Sequence, residues 1–450
     1  RAFNTLTHEQ RLEEFRQLDE RVLHENRVAL VASLREEVQR RLQSPEAAAG
    51  MPFLRREMAR QRGLSPLRRT IQQAGAAIRA IKPCFLMSPL TVAQLLDGAA
   101  AGFDLVIFDE ASQLPTEDAV GAIARSKQLI VVGDPKQLPP TNFFSVMNGQ
   151  VTAALGDDGL PLYDDSESVL EEYLGSGVPA SRLKWHYRST HESLIAFSNV
   201  SFYDADLYTF PSPETATETG GLKFEFVSDG VYEGKGLNQT EARQVADAVV
   251  HHARTCPELS LGVGTFNMRQ QLAIQDELEQ RRRHEPALET FFSRTEQEQF
   301  FVKNLENIQG DERDVIFISV TYAKGTDGRL RYNFGPLNSQ NGWRRLNVLI
   351  TRARRLMRVF ASIRGEDINL AAVSTQGPKL LREFLIFAEQ GRLDGTTVKA
   401  AAATESPLER DIYNELTRRS VHLVPQVGVS GYRIDFGVQD PDFPGRFLCG

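Results

Sequence analysis

An α/β fold built on parallel sheets is what this sequence predicts, and three observations carry the prediction. From Lys82 onward, short apolar runs alternate with helical stretches. The runs themselves, such as CFLM, LVIF and QLIVV, are almost wholly apolar, as strands covered on both faces must be. The alternation occurs in two successive blocks, which a chain of 450 residues is long enough to fold as separate domains.

Taken in order, residues 1–80 read as a helical arm or insertion. LTHEQRLEEFRQLDERVL places Leu6, Leu12, Phe15 and Leu18 near helical spacing among charged residues, and REEVQRRLQ continues the pattern until Pro45 and Gly50. Residues 81–178 form the first α/β block. Its strands are CFLM, DLVIFDE and QLIVVGD, with VAQLL and EDAVGAIARS as the helices between them. Residues 179–390 form the second block. Its strands are LKFEFV, LGVGTF, DVIFISV, RLNVLIT and MRVFASI, and its helices include TEARQVADAVVHHAR and NMRQQLAIQDELEQRRR. Small residues mark 391–405 as a linker, and residues 406–450 open a third unit.

Composition is that of an ordinary globular protein, 41% hydrophobic and 25% charged. No apolar run reaches the length of a membrane span, so no membrane partner is expected. Cys84, Cys256 and Cys449 are too few and too scattered for a disulfide framework or a structural metal, and a reducing cytoplasm is the expected location. A net charge of -7 excludes a globally basic nucleic-acid coat but not a basic groove. Residues 343–364 hold seven arginines and no acid, the sharpest positive island in the chain. Arg1-Ala-Phe lacks a starting Met and an apolar leader, and reads as an internal cut or a processed end.

Two strand ends carry the chemistry. LVIFDEASQLP delivers Asp109 and Glu110 to the tip of a hydrophobic strand, where ligands sit in parallel sheets. In a nucleotide hydrolase the first acid holds the Mg²⁺ shell and the second polarises the attacking water. Further along, VVGDPKQLPP ends a second strand in a Gly133–Asp134 turn, with Gln137 within reach of a terminal phosphate.

DEASQ, GDPKQLPP, WHYRS, NIQGDERDVIFISV and LNVLITRAR, in this order, resemble motifs II to VI of superfamily-one helicases. The likeness is greatest to the branch of the nonsense-mediated-decay helicase and spans about Lys82 to Arg364. The resemblance implies tandem RecA-like P-loop NTPase domains that bind ATP and Mg²⁺ in their cleft. It also implies single-stranded DNA or RNA across their tops; DNA is favoured by analogy with the nuclease-like tail. By the same resemblance Asp109 binds Mg²⁺, Glu110 is the catalytic base and Gln137 senses the γ-phosphate. Arg188 and Arg352 enter the cleft as planar cations suited to phosphoryl oxygens. Gly310 and Glu312 contact nucleotide and couple it to the nucleic-acid track. Ser88, Pro89 and Thr91 match a backbone-gripping loop. Trp185, with His186 and Tyr187, offers stacking faces. Thr265, Phe266 and Gln270 match the fourth motif, at a strand end touching the strand or the adenine region.

The tail, SPLERDIYNEL followed by VPQVGVSGYRIDFGV, resembles the opening of a very-short-patch-repair-type endonuclease of the PD-(D/E)xK class. Glu409 and Asp435 would be two members of its acid cluster. One departure is plain: no GxxxxGK(S/T) loop precedes Asp109, and the pair Gly234-Lys235 is followed by Gly236 in the second block. The expectation is a chain that begins downstream of that loop, with an incomplete first domain and a nuclease-like domain cut at Gly450. The leading reading is a helicase or translocase. The alternatives are a clamp that binds without turnover, and a nuclease fed by the motor. The 450-residue chain alone is therefore expected to hydrolyse ATP poorly, and phosphate release at an ordinary helicase rate would overturn that expectation.

Overall fold

The computed structural model describes residues 5–96, 102–140, 168–212, 220–233, 236–293, 298–391, 406–428, 433–442 and 446–450. The chain divides into two compact units, Arg1–Asp109 with Leu114–Val132, and Glu110–Gln113 with Gly133–Gly450. Most of the 391–405 linker and the Gly234-Lys235 pair lie outside the described residues.

The first unit opens with the 38-residue helix α1 (Thr5–Leu42), followed by α2 (Pro45–Met58) and α3 (Leu67–Ile81). The Ser44 hydroxyl caps α2 by accepting from the Ala47 amide, and Pro45 occupies the first turn, where no amide donor is needed. Glu57 is buried with its charge met by Arg60 at 2.6 Å and the Ser65 amide at 2.9 Å. Helix α4 (Pro89–Leu95) precedes β1 (Phe103–Phe108), and α5 (Thr116–Ile123) crosses over to β2 (Ser126–Val131). The two strands pair in parallel, Leu105 beside Gln128 and Phe108 beside Val131. CFLM, expected as a strand, is not one. Leu86 is fully exposed, Phe85 packs edge-on against Phe103, and residues 83–87 join no ladder among the described residues. A four-residue apolar run makes a strand only where a neighbour offers its backbone groups.

The second unit holds a five-stranded sheet, all parallel, with strands in the order β3-β7-β6-β4-β5. After α6 (Val169–Gly175) and α7 (Ser193–Phe202) come β3 (Gly221–Phe226), α8 (Gln239–Thr255), β4 (Leu261–Thr265), α9 (Met268–His284) and the short α10 (Glu289–Phe292). They are followed by β5 (Phe301–Asn304), β6 (Arg313–Ser319), α11 (Gly342–Ile350), β7 (Ala353–Ala361) and α12 (Gln376–Gln390). The period of two along β6 feeds two cores. Ile316 and Ile318 pack on one face with α7, α11 and α12, while Val315 and Phe317 pack on the other with α8 and α9. Strand β5, missing from the sequence reading, forms one edge.

RLNVLIT, expected as a strand, lies in α11. Leu346, Val348, Leu349 and Ile350 are all buried there, and a helix buried on every side has the same unbroken apolar run as a buried strand. The tail forms α13 (Pro407–Arg418) and the antiparallel strands β8 (Leu423–Val427), β9 (Ile434–Gln439) and β10 (Phe447–Cys449), with β9 central. No helix among the described residues is long and apolar enough to cross a membrane.

At the C-terminal ends of β4, β6 and β7 sits a wholly buried carboxylate, Glu241 of α8. Its oxygens accept from the Ser319 hydroxyl at 2.7 Å, the Thr321 amide at 2.6 Å and the Ser362 hydroxyl at 2.9 Å, with Asn238 Nδ2 at 3.4 Å. Burial pushes its pKa up to about 7, against the lowering effect of those donors. The folded chain thus holds this proton more tightly than an unfolded glutamate does. The stability the group contributes is complete below its unfolded value of 4.5 and is lost as pH rises through 7. Glu241→Gln turns an amide NH₂ toward donors and is expected to cost about 2 kcal/mol. Melting temperatures from pH 5 to 8 check both points, because the variant should also lose this part of the pH slope.

Candidate functional site

The acid pair follows β1. Asp109 ends the first unit and Glu110 begins the turn belonging to the second; both are exposed. Glu110 has φ 53°, a left-handed backbone that costs a residue with a Cβ roughly 1 kcal/mol and persists where the surroundings enforce it. Its carboxylate accepts from Gln309 Nε2 at 3.2 Å and lies 3.5 Å from Gln113 Nε2. Gly133, in the turn after β2, has no room for a side chain. A Cβ there would stand 3.0 Å from the Ser112 amide and 3.1 Å from that of Ala111. The two motif turns are thereby packed backbone to backbone.

Gln137 and Arg352 meet, with Arg352 Nη2 3.4 Å from Gln137 Oε1. Arg352 stands just before β7 at the end of α11 and is only 3% exposed. Its Nε donates to the Val348 carbonyl at 2.6 Å and its Nη2 to the Thr351 hydroxyl at 3.1 Å. Among the described residues no carboxylate comes within ion-pair distance of it, and its Nη1 makes no hydrogen bond. Burial, then repulsion from Arg188, lowers its pKa to about 10, so it stays charged at neutral pH.

Arg188 donates through Nε to Glu312 at 2.7 Å and through Nη1 to the Thr351 carbonyl at 3.2 Å. Glu312, just before β6, also lies 3.6 Å from Arg354. Arg354 is held by Glu298 and Asp314, which raise its pKa. His186 beside Arg188 is driven down to about 4 by burial and that positive neighbour. It is neutral, and its Nε2 accepts from the Ser189 amide at 3.1 Å. Gly310 has φ 84°, which only glycine adopts without strain, and it turns the chain between Gln309 and Glu312.

The remaining residues lie apart from this cluster or in the other unit. Ser88 and Thr91 share a hydroxyl hydrogen bond of 2.8 Å at the start of α4, beside Pro89, in the first unit. Trp185 is half exposed, stacked on Phe210 at 5.1 Å and tilted against Tyr208 at 5.4 Å, while Tyr187 is almost fully exposed. Thr265 corrects an expectation. It is 0% exposed, with its hydroxyl donated to the Asn267 carbonyl at 2.8 Å, so no nucleic-acid strand can touch it as it stands. Phe266 and Gln270 are buried with it. Thr265 also sits at the C-terminal end of the sheet, whereas Arg352 and Glu312 sit at the N-terminal ends of β7 and β6. In the tail, Glu409 on α13 lies 3.4 Å from Gln426, and Asp435 on β9 is exposed. Among the described residues no three His, Cys, Asp or Glu side chains are gathered as a metal site.

Among the residues of the cluster that escaped the sequence reading are Gln309, which donates to Glu110, Tyr203, which donates to Asp134, and Asn347, which donates to the Lys136 carbonyl. Asn347 was legible in principle, because a lone amide inside the apolar run LNVLI demands buried partners. Tyr203 stands outside every motif and carried no such signal.

A sequence profile described as an AAA domain matches residues 166–364, and a second with the same description matches residues 86–144. The chain is 33% identical over 354 residues to the uncharacterized ATP-dependent helicase MG140 of Mycoplasma genitalium, covering 75% of this chain and 31% of that protein. It is 27% identical over 277 residues to the probable helicase MAGATAMA 3 of Arabidopsis thaliana, covering 60% of this chain and 31% of that one. The similarity is to superfamily-one helicases. The chain spans about a third of the length of these relatives. Among solved structures, the C-terminal domain of a possible DNA helicase from Lactobacillus plantarum is 13% identical with a TM-score of 0.24, over 44% of this chain and 92% of that one.

The Arg188–Glu312 pair is about a third exposed on each side. A double-mutant cycle of Arg188→Ala and Glu312→Ala, read by denaturant unfolding, is expected to give a coupling of about 1 kcal/mol or less.

Proposed function

We propose that this chain is the motor part of an ATP-dependent helicase or translocase acting on single strands, built on two RecA-like domains. The observation that carries the reading is the buried guanidinium of Arg352. Among the described residues its hydrogen bonds go only to neutral oxygens, one of them Gln137's, beside a second guanidinium and with one edge unspent. Such a cation is costly unless an anion completes it, and a terminal phosphate has the charge and the pair of oxygens that a planar guanidinium can meet.

The donor set fits a nucleotide and its metal in part. Asp109 and Glu110 are exposed carboxylates at a strand tip, and Gln137, Arg188 and Arg352 are donors to phosphoryl oxygens. The loop that would cradle the β-phosphate is not in this sequence. When bound, Mg²⁺ and ATP supply the reacting phosphoryl group and the charge that activates it. Among the described residues Asp109 is the one that would hold the ion. Glu110, turned by its left-handed backbone and held by Gln309, takes the proton of the attacking water on a carboxylate oxygen. Gln137 orients that water. Arg352 and Arg188 steady the developing charge, Arg188 leaving Glu312 to do so. The Gly310 turn carries that exchange toward the strands, and Ser88, Pro89, Thr91 and Trp185 are the surface contacts for single strands. DNA is the favoured track and the cytoplasm the proposed location.

A nuclease-like tail is a second element of the proposal. A helix bearing Glu409 is followed by antiparallel strands with Asp435 on the central one, which supports the endonuclease resemblance.

The test is ATP hydrolysis with and without single-stranded DNA and RNA, for this chain and for a version extended upstream through a phosphate-binding loop. The extended version is expected to be stimulated by one nucleic acid, and Glu110→Gln or Arg352→Ala to lower kcat at least about a hundredfold. Strand binding without hydrolysis in either version would favour the clamp.

A further inference from the structure

We propose that Tyr203 is a positioning residue of this motor, setting the side-chain amide of Gln137 so that its oxygen faces Arg352; the proposal rests on the motor reading above. Tyr203 follows the last turn of α7 and belongs to no motif. Its hydroxyl donates to Asp134 Oδ2 at 2.6 Å and accepts from Asn347 Nδ2 at 2.9 Å. The same Asp134 oxygen accepts from Gln137 Nε2 at 3.0 Å, and Oδ1 accepts from the Lys136 amide at 2.8 Å.

A glutamine amide turned by half a circle exchanges donor for acceptor, so something must choose the turn. Anchoring the NH₂ on a carboxylate does so, and it leaves Oε1 toward Arg352. The carboxylate is itself anchored by the phenol. Donation along this chain cannot reverse. Asp134 only accepts when ionised, and the Asn347 NH₂ fills a lone pair of the Tyr203 oxygen. Burial and the neighbouring carboxylate push the phenol's pKa far up, so the O–H stays in place at every working pH. Asn347 Nδ2 also donates to the Lys136 carbonyl at 2.9 Å. Helix α11 therefore grips the 134–137 turn directly and through Tyr203, and the same helix runs into Arg352, whose Nε returns to Val348. One hydroxyl indexes the phosphate-sensing amide and the buried guanidinium to each other.

Tyr203→Phe removes that hydroxyl and little else. In the upstream-extended version, stimulated by single strands, it is expected to lower kcat about tenfold while KM for ATP changes less than about twofold. The double variant Tyr203→Phe with Gln137→Ala should be no slower than Gln137→Ala alone, because both break one relay. Multiplying losses, or a loss in KM alone, would overturn the proposal. If the extended version hydrolyses no ATP at all, the motor reading fails instead. The relay is then decided in the 450-residue chain by melting Tyr203→Phe, Asp134→Asn and the pair. Shifts that fall short of their sum support it, and fully additive shifts overturn it.

Discussion

A buried positive charge with no carboxylate in ion-pair contact among the described residues is the constraint on which the rest of this site depends. Arg352 is out of water, and Arg188 repels it. Its place is secured by the Val348 carbonyl, the Thr351 hydroxyl and the Gln137 amide oxygen. Three neutral acceptors can direct a guanidinium but do not neutralise it. Everything around it works as a holder. Asp134, Tyr203 and Asn347 fix the glutamine, and Glu312 accepts from the second arginine, Arg188.

The sheet separates two kinds of polar chemistry by its ends. Charged motif residues stand at the N-terminal ends of β6 and β7, where Glu312 and Arg352 meet Arg188. The C-terminal ends carry a largely buried network of Asn238, Glu241, Gln270, Ser319 and Ser362. There the Ser319 and Ser362 hydroxyls donate to Glu241 directly, and Gln270 and Asn238 donate in turn to those hydroxyls, so the network ties α8 and α9 to the ends of β6 and β7. Thr265 belongs to that end, and its place in the core follows from it.

Reading the sequence reached the parallel α/β class because strands covered on both faces must be apolar throughout; β4 and the middle of β6 are close to that limit, whereas β1 and β2 leave Leu105, Ile107 and Ile130 exposed. The same rule misled at RLNVLIT. Helix α11 is buried on all sides, and its run of branched residues carries no period that separates it from a strand. CFLM failed for the opposite reason. It is apolar enough for a strand but is paired with no neighbour among the described residues. The contact between Gln137 and Arg352 joins positions 215 apart in the chain. Tyr203 and Asn347 were invisible as partners, because a hydrogen bond across 144 positions leaves no local pattern.

By itself the sequence determined which side chains carry charge, where strands end in acids or glycine turns, and that no phosphate-cradling loop is present. Those properties are local, set by residue type and the next few positions along the chain. Only the tertiary structure decided that Thr265 is sealed, that Arg188 is held by Glu312, and that Arg352 lacks a carboxylate among the described residues. Burial and charge pairing depend on the distance between groups far apart in the chain, and folding alone sets that distance.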